Sequence, residues 1–299
     1  MNIFITGSAS HLAQALLPGL CSSPQVSKVT GIDLRPSAFQ HNKFHETQMD
    51  VRDPRLPALL RGQDALIHLA FVVLRGKVSI ADMFAINVTA SQRLFDAARD
   101  ANINRLIHLS STSVYGSGCD LKETDTFNPL PGFLYAQHKA ALEQWMTSHH
   151  PRAVRLRPHI ILGPHAQPLL KTLIRQPFYI RLPDPQPLLQ CVHEADVAAA
   201  IQLALFSEAQ GAYNLAAPDS FSFKAIIKKY HTLALPLPFG VARAALGASC
   251  KWFGVGGEPA WLDGVGKTLT VDCTKTRALG WEPQFSSLGA IDTIMNQIG

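Results

Sequence analysis

Short apolar runs, each too brief for a stable helix, recur through the first two-thirds of the chain and alternate with stretches of helical period. The runs are residues 2–6, 29–34, 65–70, 105–110 and 153–157, with a weaker one ending at Asp50. Between them lie 88–100 and 135–148, whose apolar residues recur at three- and four-residue spacing. Strands that are apolar on both faces and separated by helices belong in a parallel sheet covered on both sides. The predicted fold class is therefore α/β, a doubly wound parallel sheet with a smaller C-terminal part.

After Gly163 the texture changes. Pro164, Pro168, Pro177, Pro183, Pro185 and Pro187 mark loop-rich chain, as do Pro236 and Pro238. Residues 197–206 read as one more helix and 212–217 as one more strand. The expected division is a nucleotide-binding sheet of residues 1–162, completed by 191–217. Residues 163–190 and 218–299 would form a smaller substrate-binding or lid region over the strand ends, where such sheets take their ligands.

Composition narrows the classes. Hydrophobic residues make up 47% of 299 and charged ones 16%, which excludes a disordered chain. The net charge of +5 is scattered, with Lys228-Lys229 the longest adjacent basic run, so a phosphate-tracking nucleic-acid surface is not expected. Five cysteines without a Cys-x-x-Cys pair speak against a disulfide framework or a structural zinc site and suit a reducing cytoplasm. The uncharged first 27 residues lack a basic start, and Thr6, Gly7, Ser8, Ser10, His11 and Gln14 interrupt them. They read as a buried strand and helix rather than an export signal. No metal site and no membrane association are expected. An apolar lid is the reading of residues 236–255, with Phe239, Trp252 and Phe253.

The first strand runs into Thr6-Gly7-Ser8-Ala9-Ser10-His11-Leu12-Ala13. A strand, a tight turn and a helix start offer free backbone N–H groups and a positive dipole end to a pyrophosphate. A plain strand-to-helix turn would look the same. Asp33 closes the second strand, where an acid can hydrogen-bond a ribose 2′-hydroxyl. That favours NAD over NADP, since a 2′-phosphate would face like charge; Arg35 nearby keeps NADP open. Tyr135 and Lys139 are four apart on one helical face, and the ammonium is expected to lower the tyrosine pKa toward working pH. Accidental Tyr-x-x-x-Lys matches number about 0.2 in a chain of this composition, so the pair needs support. Ser110-Ser111-Thr112-Ser113-Val114-Tyr115-Gly116, directly after a buried strand, supplies a hydroxyl for the reacting oxygen.

Together these pieces resemble the extended short-chain dehydrogenase/reductases, in particular the NAD-dependent epimerase/dehydratase family, over nearly the whole chain. Further pieces are Asp50-Val51-Arg52-Asp53, His68-Leu69-Ala70, Asn87-Val88, Val192-His193-Glu194-Ala195-Asp196 and Leu279-Gly280-Trp281. The resemblance implies a Rossmann sheet, NAD and a homodimer packed through the helices after Asn87 and at Tyr135. It implies catalytic Ser111, Tyr135 and Lys139. For the cofactor it implies Gly7, Ser10, His11 and Leu12 at the pyrophosphate, Asp33 at the ribose and Asp50 with Val51 at adenine. Leu69, Ala70, Phe71 and Asn87 would line the cleft, and His159 would border the nicotinamide, with Tyr135 and Lys139 also in reach.

Several positions depart from the family pattern. Ser10 and Ala13 replace loop glycines. Thr112 and Ser113 stand where a 4,6-dehydratase carries Asp-Glu, which disfavours that chemistry. Leu189 and Ile160 stand where a sugar-nucleotide epimerase presents Arg and Asn; Arg181 is the candidate replacement cation. The resulting expectation is hydride transfer at a secondary alcohol or ketone, sugar-like or less polar. The alternatives are an NADPH-dependent carbonyl reductase and a nucleotide-sensing scaffold of the same fold. His68 and His108 are expected to be satisfied core residues, and His193 and Asp196 to place a loop.

Overall fold

The protein is described by a computed structural model covering residues 1–253 and 259–296. Val255 and the side chain of Phe253, both named in the lid reading, lie outside the described residues. Strands β1 (Asn2–Thr6), β2 (Lys28–Asp33), β3 (Phe44–Gln48), β4 (Ala65–His68) and β5 (Arg105–Leu109) come first. They are followed by β6 (Gly118–Leu121), β7 (Val154–Pro158), β8 (Ile160–Leu162), β9 (Phe178–Arg181) and β10 (Cys191–His193). Then come β11 (Gly211–Leu215), β12 (Leu235–Pro238) and β13 (Leu269–Val271). The central sheet has seven parallel strands in the order β11-β7-β5-β4-β1-β2-β3. The chain lays β2 and β3 to one side of β1 and β4 to the other, so a crevice opens at the carboxyl ends of β1 and β4.

Side chains along a strand alternate between faces, and β1 shows both faces buried. Ile3 and Ile5 join Leu16 and Leu20 of helix α1 (His11–Ser22) in one apolar cluster. Phe4 points the other way, into a second cluster with Leu56 of α2 (Leu56–Leu59). Beyond α3 (Ile80–Phe84), α4 (Ser91–Asp100) adds Leu94 and Phe95 to that cluster, and α5 (Leu134–His149) adds Leu142 and Met146. Each such fully buried side chain contributes roughly 1.5–3 kcal/mol. The strands at 2–6, 105–110 and 153–157 lie within a residue or so of prediction. The weak strand ending near Asp50 is β3, a half-exposed edge, which is why its apolar signal is faint.

One predicted apolar strand is not apolar. Arg155 and Arg157 of β7 are both buried and, two residues apart, face the same side. Glu143 of α5 meets them: Arg157 donates to its carboxylate at 2.8–3.1 Å and Arg155 lies at 3.6 Å. Ser110 donates to the same carboxylate.

After β8 come α6 (Pro168–Arg175), α7 (Glu194–Phe206), α8 (Phe223–Tyr230), α9 (Phe239–Phe253) and α10 (Ala260–Val265). Helix α7 completes the α1 side of the sheet through Ile201 and Leu205. The remaining strands form parallel pairs, β8 with β10, β9 with β12 and β6 with β13. The prolines of 236–238, read as loop markers, sit in the two-stranded β9–β12 edge, where a missing N–H is tolerated. His193 and Asp196 do place the C-terminal segment: His193 stacks on Phe285 at 3.8 Å, and the Asp196 carboxylate accepts from the amides of Gln284 and Phe285. Among the described residues, no helix is long and apolar enough to cross a membrane.

Candidate active site

Gly7 ends β1 in the turn toward α1 with φ +75°, and a Cβ there would stand 2.7 Å from the Ala70 nitrogen. Only glycine lets the turn lie this close to the end of β4. Ser10 is the N-cap of α1; its backbone is ordinary extended chain, and its Oγ accepts from Ala13 N at 3.3 Å. Among the described residues, the amides of His11 and Leu12 have no hydrogen-bond acceptor, and both residues line the large cavity described below. A helix start with free amides facing a cleft suits a pyrophosphate. Asp33 sits at the end of β2 and accepts from the amides of Ala9 and Arg35, each at 3.1 Å. Its carboxylate thus ties the turn to the strand end beside it, with lone pairs left over for a ribose hydroxyl. The residues present fit a dinucleotide.

Asp50 and Val51 follow β3, whose end adjoins Asp33 through the Met49 amide. Asp50 is paired with Arg52 at 2.8 Å, and Val51 packs on the core. Asn87 lies in a six-residue π-helical stretch, Ala85–Ala90. Its side-chain amide accepts from the Val72 amide at 2.7 Å and donates to the Val72 carbonyl at 3.0 Å, with His138 Nδ1 at 3.3 Å from the same nitrogen, and so holds the loop after β4. Leu69 and Ala70 are fixed to Thr6 by their amides.

Tyr135 and Lys139 project from α5 beside Ser111, which caps the short turn Thr112–Tyr115. Ser111 and Tyr135 line the same cavity, and the Ser111 hydroxyl accepts from the Ser113 amide at 3.1 Å. The expected lowering of the tyrosine pKa is not what the site produces. Burial pushes the Tyr135 phenol up to about 12, with the nearby Ser111 side chain pulling the other way. The reason is where the ammonium sits. Lys139 Nζ donates to Leu109 O and lies 3.5 Å from the Phe71 ring centroid, against 5.8 Å from that of Tyr135. Burial holds the lysine well below its ordinary value, opposed by Glu143 one turn on. His159 accepts from the Ile160 amide through Nδ1 at 2.8 Å, which directs its Nε2 proton to Leu269 O at 3.0 Å. Burial lowers its pKa to about 4, so it is a neutral wall of the site.

The cavity, about 840 Å³, runs from Ser10, His11 and Leu12 past Leu69, Phe71 and Ser111 to Tyr135 and His159. Gly7, Asp33, Asp50, Val51, Ala70, Asn87 and Lys139 are not in its wall. Arg35, His165 and Glu194 line it too, and the electrostatic neighbours of His11 include all three. The carboxylate of Glu194 accepts from His165 Nδ1 at 2.6 Å. Arg181 is exposed and absent from the wall, so it does not replace the cation missing at Leu189. Sequence reasoning also missed Phe133 and Trp261, which flank Tyr135 at ring-centroid distances of 5.8 and 6.4 Å. Trp261 belongs to α10, far downstream and in no recognisable motif. The buried His68 is satisfied by Thr6 and Ser91, but neither nitrogen of His108 has a partner among the described residues.

Comparison with known proteins agrees with the fold and gives the family. MoeE5 in complex with UDP-glucuronic acid and NAD superposes with a TM-score of 0.78 over 99% of each chain, at 21% identity, a likeness of fold. A 4-hydroxy-2-methyl-3-oxo-4-farnesyl-3,4-dihydroquinoline-1-oxide ketoreductase of Stigmatella aurantiaca is 28% identical over 48% of this chain and 43% of its own length. A dTDP-glucose 4,6-dehydratase of an Actinoplanes strain is 32% identical over 50% of this chain and 52% of its own. These two alignments thus span about half of each relative. The family model described as NAD dependent epimerase/dehydratase matches residues 3–216, and the chain belongs to that family.

Proposed function

We propose that the protein transfers hydride between NAD and a secondary alcohol or ketone, with Tyr135 moving the hydroxyl proton. The observation that carries this reading is that Ser111 and Tyr135 line the same cavity as His11 and Leu12 at the start of α1. The nicotinamide supplies the hydride acceptor or donor when bound. Ser111 and Tyr135 together fix the substrate oxygen. Burial keeps Tyr135 protonated at neutral pH, the form that donates to a ketone oxygen. Lys139 would bind the nicotinamide ribose once it leaves its stack on Phe71. Oxidation, reduction and epimerisation all begin from this arrangement. The farnesylated-quinoline ketoreductase and the sugar-nucleotide enzymes among its relatives bracket the substrates it could take. Arg35 in the cavity wall supports one alternative, NADPH-dependent carbonyl reduction. A homodimer through α4 and α5 belongs to the same reading.

Tyr135→Phe tests it. The variant should lose about 10²- to 10⁴-fold in kcat, while NAD affinity in a direct titration stays within experimental error. Turnover equal to the wild type would remove Tyr135 from the chemistry.

A further inference from the structure

The walls of the cavity differ from end to end. At the α1 end stand His11, Arg35, His165 and Glu194, the charged or titratable groups that surround the dinucleotide position. Around Tyr135 the wall changes to Phe71, Phe133 and Trp261, whose rings lie 5.7–6.4 Å from the tyrosine ring. Farther on, Leu246 of α9 and Leu262 and Val265 of α10 line the cavity, and they pack in one apolar cluster with Ile180 of β9. Leu189 and Ile160 close the side between β8 and β10. No Lys or Arg of the described lining stands at this end. A diphosphate carried beyond Tyr135 would therefore lose its hydration without a cation to replace it.

We infer that the substrate is an apolar secondary alcohol or ketone with a bulky hydrocarbon body and no phosphate. The inference rests on the hydride-transfer reading and names its substrate class. In the reductive direction hydride passes from the reduced nicotinamide dinucleotide to the carbonyl carbon as the C=O π bond breaks, and the protonated Tyr135 phenol gives its proton to the oxygen, leaving a secondary alcohol. Oxidation is the reverse and starts from the Tyr135 phenolate. The hydrocarbon body lies against Leu246, Leu262 and Trp261, where each carbon buried adds to affinity and no polar group needs a partner.

The test is binding first, then turnover, on the full chain loaded with NAD. Decahydro-2-naphthol and UDP-glucose are titrated calorimetrically against wild type, Leu246→Glu and Leu246→Met. The expected result is saturable binding of the bicyclic alcohol and none of UDP-glucose. Leu246→Glu should weaken the alcohol by about tenfold or more, with NAD affinity unchanged, and Leu246→Met should stay near wild type. Tighter binding of UDP-glucose than of the alcohol, an alcohol affinity indifferent to Leu246→Glu, or no alcohol binding would overturn the inference. Turnover is then followed in the reductive direction, as loss of the reduced cofactor's absorbance with the matching ketone, 2-decalone. Binding of the alcohol as expected without turnover would leave the substrate class standing and sink the hydride-transfer reading instead.

Discussion

Ser10 occupies a turn position where a glycine would let a phosphate approach the backbone most closely, and the structure gives its side chain another task. Its Oγ satisfies the Ala13 amide, one of the donors that a helix start leaves without a partner. Its backbone conformation needs no glycine. Gly7, by contrast, cannot carry a side chain, because β4 lies against it. Ser10→Ala should therefore cost about 1 kcal/mol of stability, read from the urea midpoint at constant slope. An unchanged midpoint would mean that the cap contributes nothing. The candidates Ser111 and Asp33 could be picked out in the sequence because they lie at or just after strand ends, and Tyr135 with Lys139 because they share one face of a helix. What those positions could not tell was the direction of the tyrosine pKa. That depends first on burial of the phenol, and Phe71 takes the Lys139 ammonium onto its own face rather than leaving it beside the tyrosine oxygen.

At the scale of elements, β4 and β5 carry His68 and His108 into the interior beneath the site, with ring centroids 5.5 Å apart. Burial lowers His68 to about 3 and His108 well below 6.5, and in both cases Lys139 adds to the effect; Arg155 also faces His108. In the unfolded chain both would titrate near 6.5. Because the folded pKa values are depressed, the unfolded chain binds more protons below pH 6.5. The stability that these two neutral imidazoles allow is thus complete above that pH and is lost as pH falls. The slope is about 1.4 kcal/mol per pH unit for each histidine fully in that window. Urea midpoints at pH 7 and pH 5 measure it, and His108→Leu should flatten the dependence. A midpoint independent of pH in the wild type would contradict the assignment.

The same scale shows where sequence reading ends. Strands buried on both faces announced themselves, and edge strand β3 did so weakly. The pairs β6–β13 and β9–β12 join segments far apart in the chain and are short or proline-bearing, so no local pattern marks them. The charged centre of β7 was hidden for a related reason. Arg155 and Arg157 are tolerable inside only because Glu143, on another element, compensates them.

At the scale of the whole molecule, the sheet presents a helix start, an acid at the end of β2 and a tyrosine on α5 along one crevice, and the C-terminal segments roof it with aliphatic and aromatic side chains. The division of labour is spatial. Charged and titratable groups gather at the α1 end, while hydrocarbon surrounds Tyr135 and beyond. We propose that this crevice is a working NAD site read by Asp33, with Ser10 in place of a glycine. Calorimetric titration of the stripped protein with NAD and, separately, NADP tests it most directly. The expected result is saturable NAD binding, weaker binding of NADP, and a loss of about tenfold or more for NAD in Asp33→Ala. Binding of neither dinucleotide, or an NAD affinity unmoved by Asp33→Ala, would contradict it.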